Sequence, residues 1–321
     1  MAKIVVHIGM HKTGSTAIQY YLATNRDLFK SLGVAYPQFE DSFYQHGLAS
    51  AWIALPEQYS FSGNPVEYWK TLKSRNNNAS LVIISSEELS RCYPDRVDFS
   101  RIKTFIENFE EMKIVFVVRN QIDFLQSVYL EINRGQKTDF ARFLDESLLT
   151  GYATGLYLDY SQLYLEINKS FDKECIQVIS FSDLVTSKEG LVGAFYKKIG
   201  VPLDSLRVPN IVGNPSINPL VLYVARSIFN KIEITSEEEA VILKCFEQEI
   251  GPKKKYTLYS REEFKSLAAY FASYNFRFAA LVNNKNSNFT FPRTVINDNY
   301  IFRDDISADL IDKVKEAFHR V

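Results

Sequence analysis

The stretch Gly9-Met10-His11-Lys12-Thr13-Gly14-Ser15-Thr16 gathers an imidazole, an ammonium group and three hydroxyls around two glycines. Glycines at that spacing let the backbone turn its N–H groups inward around an anion. A helix starting there adds the positive end of its dipole. The nucleoside-triphosphate loop G-x-x-x-x-G-K-[ST] shares the spacing, with lysine after the second glycine and a hydroxyl on Mg²⁺. Here Thr16 keeps the hydroxyl position, Ser15 replaces the lysine, and the lysine sits earlier, at Lys12. A triphosphate-cleaving loop needs its lysine at the β/γ-phosphates and a metal to bridge them. This loop suits a shorter, less charged terminal group held without metal, such as a phosphosulfate. A glycine turn that binds nothing is the competing reading.

Two further groups have the chemistry of a general base. His46 is one of four histidines, in Tyr44-Gln45-His46-Gly47, and its titration range suits proton abstraction near neutral pH. Its competing reading is a helix-capping or surface histidine. Of the others, His7 alternates with apolar residues and reads as packed, His11 lies in the anion loop, and His319 reads as solvated. Glu87 and Glu88 directly follow an apolar run, where an open parallel sheet lines its ligand crevice. Either one could be the base or could orient His46. Alternatively they open a helix, where acids favour the dipole.

These groups need a scaffold. Ile4, Val5, Val6 and Ile8 have the make-up of a strand buried on both faces. Ala17, Ile18, Tyr21, Leu22, Leu28 and Phe29 follow a 3.6-residue period, predicting one helix after the loop. Residues 81–86, 113–118 and 175–181 read as further strands. Residues 102–109, 121–134, 160–167 and 189–199 read as helices. A short helix is expected over 48–55, and a small, mobile loop over 150–155. Beyond residue 233 the pattern is helical, over 236–250, 260–281 and 306–318. The predicted fold class is α/β: a P-loop-like central parallel sheet of four or five strands flanked by helices, with a helical C-terminal portion. The expected organisation is a single domain over 1–321, with about 233–321 as a mainly helical extension.

Composition narrows the function classes. Of 321 residues, 46% are hydrophobic and 23% charged, an ordinary globular balance. The formal net charge of −1 argues against a general nucleic-acid binder, so any anion site is local. The aromatics, 24 Phe and 19 Tyr, exceed what a core alone calls for, and some suit a platform for sugar rings. Cys92, Cys175 and Cys245 are an odd, scattered set that suggests neither a disulfide framework nor structural zinc and suits a reducing compartment. The start Met-Ala-Lys-Ile-Val-Val leads straight into a strand, and no apolar run is long enough to span a bilayer. A cytoplasmic enzyme is expected.

His7-Ile-Gly-Met-His-Lys-Thr-Gly-Ser-Thr16 resembles the 5′-phosphosulfate loop of PAPS-dependent sulfotransferases, above all the bacterial carbohydrate enzymes with H-x-K-T-G-[ST]-T. The resemblance is specific over about residues 3–135 and weaker to about 230. It implies that His11, Lys12, Thr13, Gly14, Ser15 and Thr16 hold the 5′-phosphosulfate. It implies that Arg119 and Ser127, eight apart at a strand end and on a helix, hold the 3′-phosphate. A guanidinium grips a dianion in a bidentate fork and a hydroxyl adds a donor, although Arg and Ser at that spacing alone say little. Asn214 and Ser216 resemble the family's N-x-S loop that closes on the nucleotide; by composition the same residues read as a turn and an N-cap. The implied reaction moves a sulfuryl group from PAPS to a hydroxyl of a carbohydrate or glycolipid and releases PAP. His46 is the base, Glu87 the second choice, and Lys12 neutralises the leaving phosphate. The alternatives are a P-loop small-molecule kinase and a non-catalytic nucleotide-binding protein of the same fold.

Overall fold

In a computed structural model of the protein, residues 2–40, 42–133, 138–201, 217–231, 233–252, 254–283, 289–291, 294 and 296–318 are described. In chain order they begin with β1 (Lys3–His7), α1 (Ser15–Thr24), α2 (Arg26–Ser31), β2 (Val34–Ala35), α3 (Pro65–Arg75), β3 (Leu81–Ser85), α4 (Phe99–Ile106) and β4 (Glu111–Val118). Next come α5 (Gln121–Ile132), α6 (Phe140–Thr150), β5 (Tyr152–Ala153), β6 (Leu156–Tyr157), α7 (Tyr160–Asn168), β7 (Ile176–Ser180), α8 (Phe181–Val185) and α9 (Gly190–Lys198). The remainder is α10 (Pro219–Ser227), α11 (Ser236–Ile250), β8 (Lys255–Tyr256), α12 (Arg261–Val282), β9 (Tyr300–Ile301) and α13 (Ala308–Phe318). Asn214, Ser216 and His319 lie outside the described residues.

The chain divides into two compact units. The first lies within residues 1–119, 151–213 and 274–292, the second within 120–150, 214–273 and 293–321. The first unit is built on a five-stranded sheet in the order β2-β3-β1-β4-β7, and every pairing in it is parallel. This is the expected α/β, P-loop-like arrangement. Because all strands run one way, their carboxyl ends share one edge: His7 pairs with Ser85 on one side and Val115 on the other. Whatever follows β1, β3 and β4 in sequence is delivered to that edge.

One face of the sheet packs Val5, Ile83, Val115 and Val117 against Ile18, Tyr21 and Leu22 of α1 and Phe195 and Tyr196 of α9. Each fully buried Leu or Phe of this layer contributes about 2–3 kcal/mol of transfer free energy. The Tyr196 hydroxyl, buried with its ring, donates to the Ile18 carbonyl at 2.8 Å. The single helix expected after the loop is broken at Asn25, whose amide closes α1 on Tyr21 and whose carbonyl accepts from Phe29 in α2.

The loop expected over 150–155 is instead a hairpin, with β5 antiparallel to β6. Thr154 (φ 51°) and Gly155 (φ 81°) form its two-residue turn in the left-handed region, the twist a tight hairpin requires. Strands of two residues are too short for alternation to be read from sequence. A Cβ on Gly155 would lie 2.4 Å from the Tyr93 carbonyl oxygen, so this turn admits only glycine.

The second unit has its own core, formed by Leu220, Val221 and Val224 of α10, Ile242 and Phe246 of α11, and Leu310 and Val314 of α13. Sequence signals fix its helix starts. Asn218 accepts from Leu220 and Val221 ahead of Pro219, and Thr235 with Glu238 forms a complete capping box on α11. Lys255 pairs with Asp123 at 3.0 Å and donates to the Tyr300 hydroxyl at 2.8 Å. All three cysteines are free. Among the described residues no helix is long and apolar enough to cross a membrane.

Candidate active site

The anion loop leaves β1 as an extension of its ladder: Ile8 N–H donates to Val115 O at 2.9 Å and Met10 N–H to Val117 O at 3.3 Å. The chain then reverses through Lys12 (φ 63°) and Gly14 (φ 83°), both left-handed. Thr13 is fully buried and its hydroxyl donates back to the Met10 carbonyl, locking the turn. Asn64, Asp98, Asn120, Asp159 and Asn218 cap α3, α4, α5, α7 and α10 with their side chains. Gly14 offers no such acceptor to the first turn of α1. A Cβ there would strike Leu191 of α9 at 2.5 Å, so this helix end is kept as bare backbone.

Ser15 Oγ and His7 Nε2, like His11 Nε2 in the loop, are buried side-chain atoms without a hydrogen-bond partner among the described residues. They flank Gly9, where a Cβ would lie 2.7 Å from the hydroxyl and 3.0 Å from the imidazole nitrogen. The tautomer of His7 follows from its other nitrogen. Nδ1 is 2.8 Å from Ser85 Oγ, which accepts from Gln19 Nε2 at 3.3 Å. Assigning the Ser85 proton to Nδ1 puts the ring hydrogen on Nε2. Burial pushes His7 down to about 4, against the pull of Glu87, so it is neutral and donates without being an ion. Uncapped amides, an unmet hydroxyl and an unmet ring N–H are donors that converge without an acceptor, which is what an anion oxygen supplies.

The neighbouring strand β3 delivers Ser86, Glu87 and Glu88 to the same edge, the two acids opening a 3₁₀ turn over Glu87–Ser90. His46 opens another 3₁₀ turn, His46–Ala51, in place of the helix expected over 48–55. It is buried, with 4% of its surface exposed, neither solvated nor capping a helix. Its Nδ1 is 2.9 Å from Ser86 Oγ and its Nε2 is 3.9 Å from Glu87 Oε1. Tyr44 stacks on the imidazole at 4.4 Å and Tyr59 meets it edge-on at 4.6 Å. Burial lowers the His46 pKa below its ordinary 6.5, outweighing the Glu87 and Glu88 carboxylates that raise it.

The two glutamates have different partners. Glu88, 1% exposed, takes Arg91 Nε on Oε2 at 2.7 Å and has His11 Nε2 3.3 Å from Oε1. Burial raises its pKa, but His11 and Arg91 overcome that and hold it at about 2. Glu87 faces His46 and accepts from Gln19 Nε2 at 2.8 Å on Oε2. Burial raises its pKa too, yet His46, His11 and the Gln19 hydrogen bond keep it below 4.5. Both are carboxylates at neutral pH.

Arg119, just past β4, donates Nη1 to the Lys12 carbonyl at 2.9 Å and lies 5.0 Å over the Phe181 ring. Tyr160 donates to its carbonyl at 2.6 Å. The structure thus brings His11, Lys12, Thr13, Gly14, Ser15, His46, Glu87 and Arg119 to one edge of the first unit. Thr16 is there too, exposed on the first turn of α1. Ser127 is buried on α5 of the second unit. Among the described residues no group of three or more His, Cys, Asp or Glu side chains converges as metal ligands do.

Sequence reasoning missed Gln19, Gln45, Arg91 and the tyrosines around His46. Gln45 Oε1 accepts from Ser85 N–H at 2.8 Å and its amide donates to Pro37 O at 2.7 Å, fixing the chain next to His46. Gln19 carried a usable signal: it is a polar residue beside the apolar stripe of α1, between Ile18 and Leu22, one turn beyond Ser15.

The sulfotransferase family model matches residues 5–205, and the chain belongs to that family. That span covers the loop, His46, both glutamates, Arg119 and Ser127. No curated protein matches the chain. Among solved structures, a sulfotransferase from Alicyclobacillus acidocaldarius is 16% identical, covering 88% of this chain and 96% of its own, with a TM-score of 0.47. Mouse sulfotransferase SULT7A1, complexed with PAP, is 13% identical over 64% of this chain and 61% of its own, with a TM-score of 0.37.

Proposed function

We propose that this sulfotransferase takes its sulfuryl group from PAPS and passes it to a hydroxyl of a carbohydrate or glycolipid, releasing PAP in the cytoplasm. The observation that carries the reading is the loop Gly9–Thr16: unmatched donors at an uncapped helix start, with no lysine at the triphosphate position. In this reading the amides of Thr13, Gly14, Ser15 and Thr16 and the Ser15 hydroxyl meet the 5′-phosphosulfate. Lys12 and His11 offset its charge. Arg119 grips the 3′-phosphate, with Ser127, Asn214 and Ser216 assigned to the nucleotide on the strength of the family resemblance.

The acceptor oxygen attacks sulfur as the bond from sulfur to the 5′-phosphate oxygen breaks. That oxygen leaves on PAP, its charge met by Lys12 and the loop amides. The acceptor proton goes to His46 Nε2. Ser86 holds the opposite ring nitrogen, and the Glu87 carboxylate favours the imidazolium that forms. A base held below 6.5 is already neutral at pH 7 and ready to accept.

Calorimetry with PAP and with ATP·Mg²⁺, followed by transfer of labelled sulfate from PAPS to a panel of glycans and glycolipids, tests the reading. PAP binds, ATP·Mg²⁺ does not, and label reaches a sugar hydroxyl. Binding of ATP·Mg²⁺ in preference to PAP would make the chain a kinase. PAP binding without transfer to any acceptor would make it a nucleotide-binding protein.

A further inference from the structure

Gln19 has no place in the reaction as written, yet it is 1% exposed and its amide nitrogen is engaged. One N–H goes to Glu87 Oε2 at 2.8 Å, and the other is shared between Ser85 Oγ at 3.3 Å and Ser85 O at 3.4 Å. Glu87 therefore has one oxygen tied to α1 and the other, Oε1, facing His46 Nε2 across 3.9 Å. That separation is too long for a hydrogen bond. Once Nε2 is protonated the carboxylate would gain by closing to a charge-assisted bond, and the tie to Gln19 works against that closure.

We propose that Gln19 is a positioning residue that holds the Glu87 carboxylate off His46, leaving Nε2 open to the acceptor hydroxyl. At 3.9 Å the carboxylate does not occupy the Nε2 lone pair, which is left to accept the proton of a hydroxyl. The hydroxyl gives its one proton to His46 Nε2, and the carboxylate stays near enough to favour the imidazolium that forms. This rests on the reading of His46 as base. It adds that the geometry of the base is set from α1, the helix that begins in the anion loop. The ionisable groups facing His46 are Glu87 and Glu88 on the turn after β3, His11 in the loop, Arg91, and Tyr44 and Tyr59, whose rings pack against it. Only Glu87 is tied to Gln19.

The test is an NMR titration of the histidines in the full-length protein without ligand. In Gln19→Met the thioether fills the space but cannot donate. Glu87 then closes on His46, and the His46 pKa rises by about one pH unit. In a Glu87→Gln background the same change leaves His46 unmoved, because there is no carboxylate to close. His7, joined to the network through Ser85, reports that the surroundings stay folded. Should Gln19→Met not fold, Gln19→Asn, one methylene short of Glu87, shows the same rise at smaller size. A His46 pKa that stays or falls when Gln19 is replaced overturns the proposal, as does an equal rise without Glu87. Neither outcome depends on turnover. Failure of His46 as the base appears separately, as a His46→Ala variant that still transfers sulfate.

Discussion

The anion loop and the histidine–glutamate cluster share the carboxyl edge of one sheet but are built on opposite principles. The loop is a surplus of donors: an uncapped helix start, the Ser15 hydroxyl and the His7 N–H, with no acceptor among the described residues. The cluster is nearly closed on itself, with Glu88 held by Arg91 and His11, Glu87 by Gln19, and His46 by Ser86. Unmet donors cost free energy until a ligand arrives, so the loop stores binding potential. Satisfied networks fix geometry beforehand, so the cluster stores orientation.

The largest effect should come from the cluster. His46→Ala is expected to lower turnover by about 10²–10⁴-fold while leaving PAP affinity in place, read by transfer assay and calorimetry. The parent rate should rise with pH through a limb below 6.5, because burial lowers the His46 pKa. A variant with parental turnover would leave Glu87 as the next candidate. Glu88→Gln probes the closed side of the comparison through stability. The folded carboxyl sits near 2 against an ordinary 4.5. Its contribution is therefore complete above 4.5 and lost as pH falls through 2. The variant should lose on the order of 3 kcal/mol at neutral pH and only a few tenths, about RT ln 2, at pH 2, measured by denaturant unfolding.

The loop side should respond in binding. Arg119→Ala is expected to weaken PAP by about 10–100-fold, and adenosine 5′-phosphosulfate, which lacks the 3′-phosphate, much less. Equal weakening would reduce Arg119 to its bond with the Lys12 carbonyl. Gly14→Ala should cost about 1–2 kcal/mol from the left-handed backbone alone, with a further penalty from Leu191. Thermal melts read the first, and weaker PAP binding reads the displaced loop.

What the sequence made legible divides along the same line. The loop is local: its glycines, lysine and hydroxyls are contiguous, and the strand and helix around it have strong periodicity. Its position, the parallel sheet and most helix ends could be read directly. The cluster is assembled from His11, Gln19, Gln45-His46, Ser85 to Glu88 and Arg91, and no spacing along the chain announces those meetings. The two glutamates look equivalent in Ser85-Ser86-Glu87-Glu88. Only folding shows that one turns to Arg91 and the other to His46. The same holds for the hairpin over 152–157, whose strands are shorter than any pattern.

Ser15 and Gln19 occupy successive turns of one rod, about 6 Å apart along its axis. That spacing is enforced by backbone hydrogen bonds and cannot stretch. A tug on the first residue is thus felt at the second without any messenger between them, and a mutation that slides or rotates this rod spoils both tasks at once.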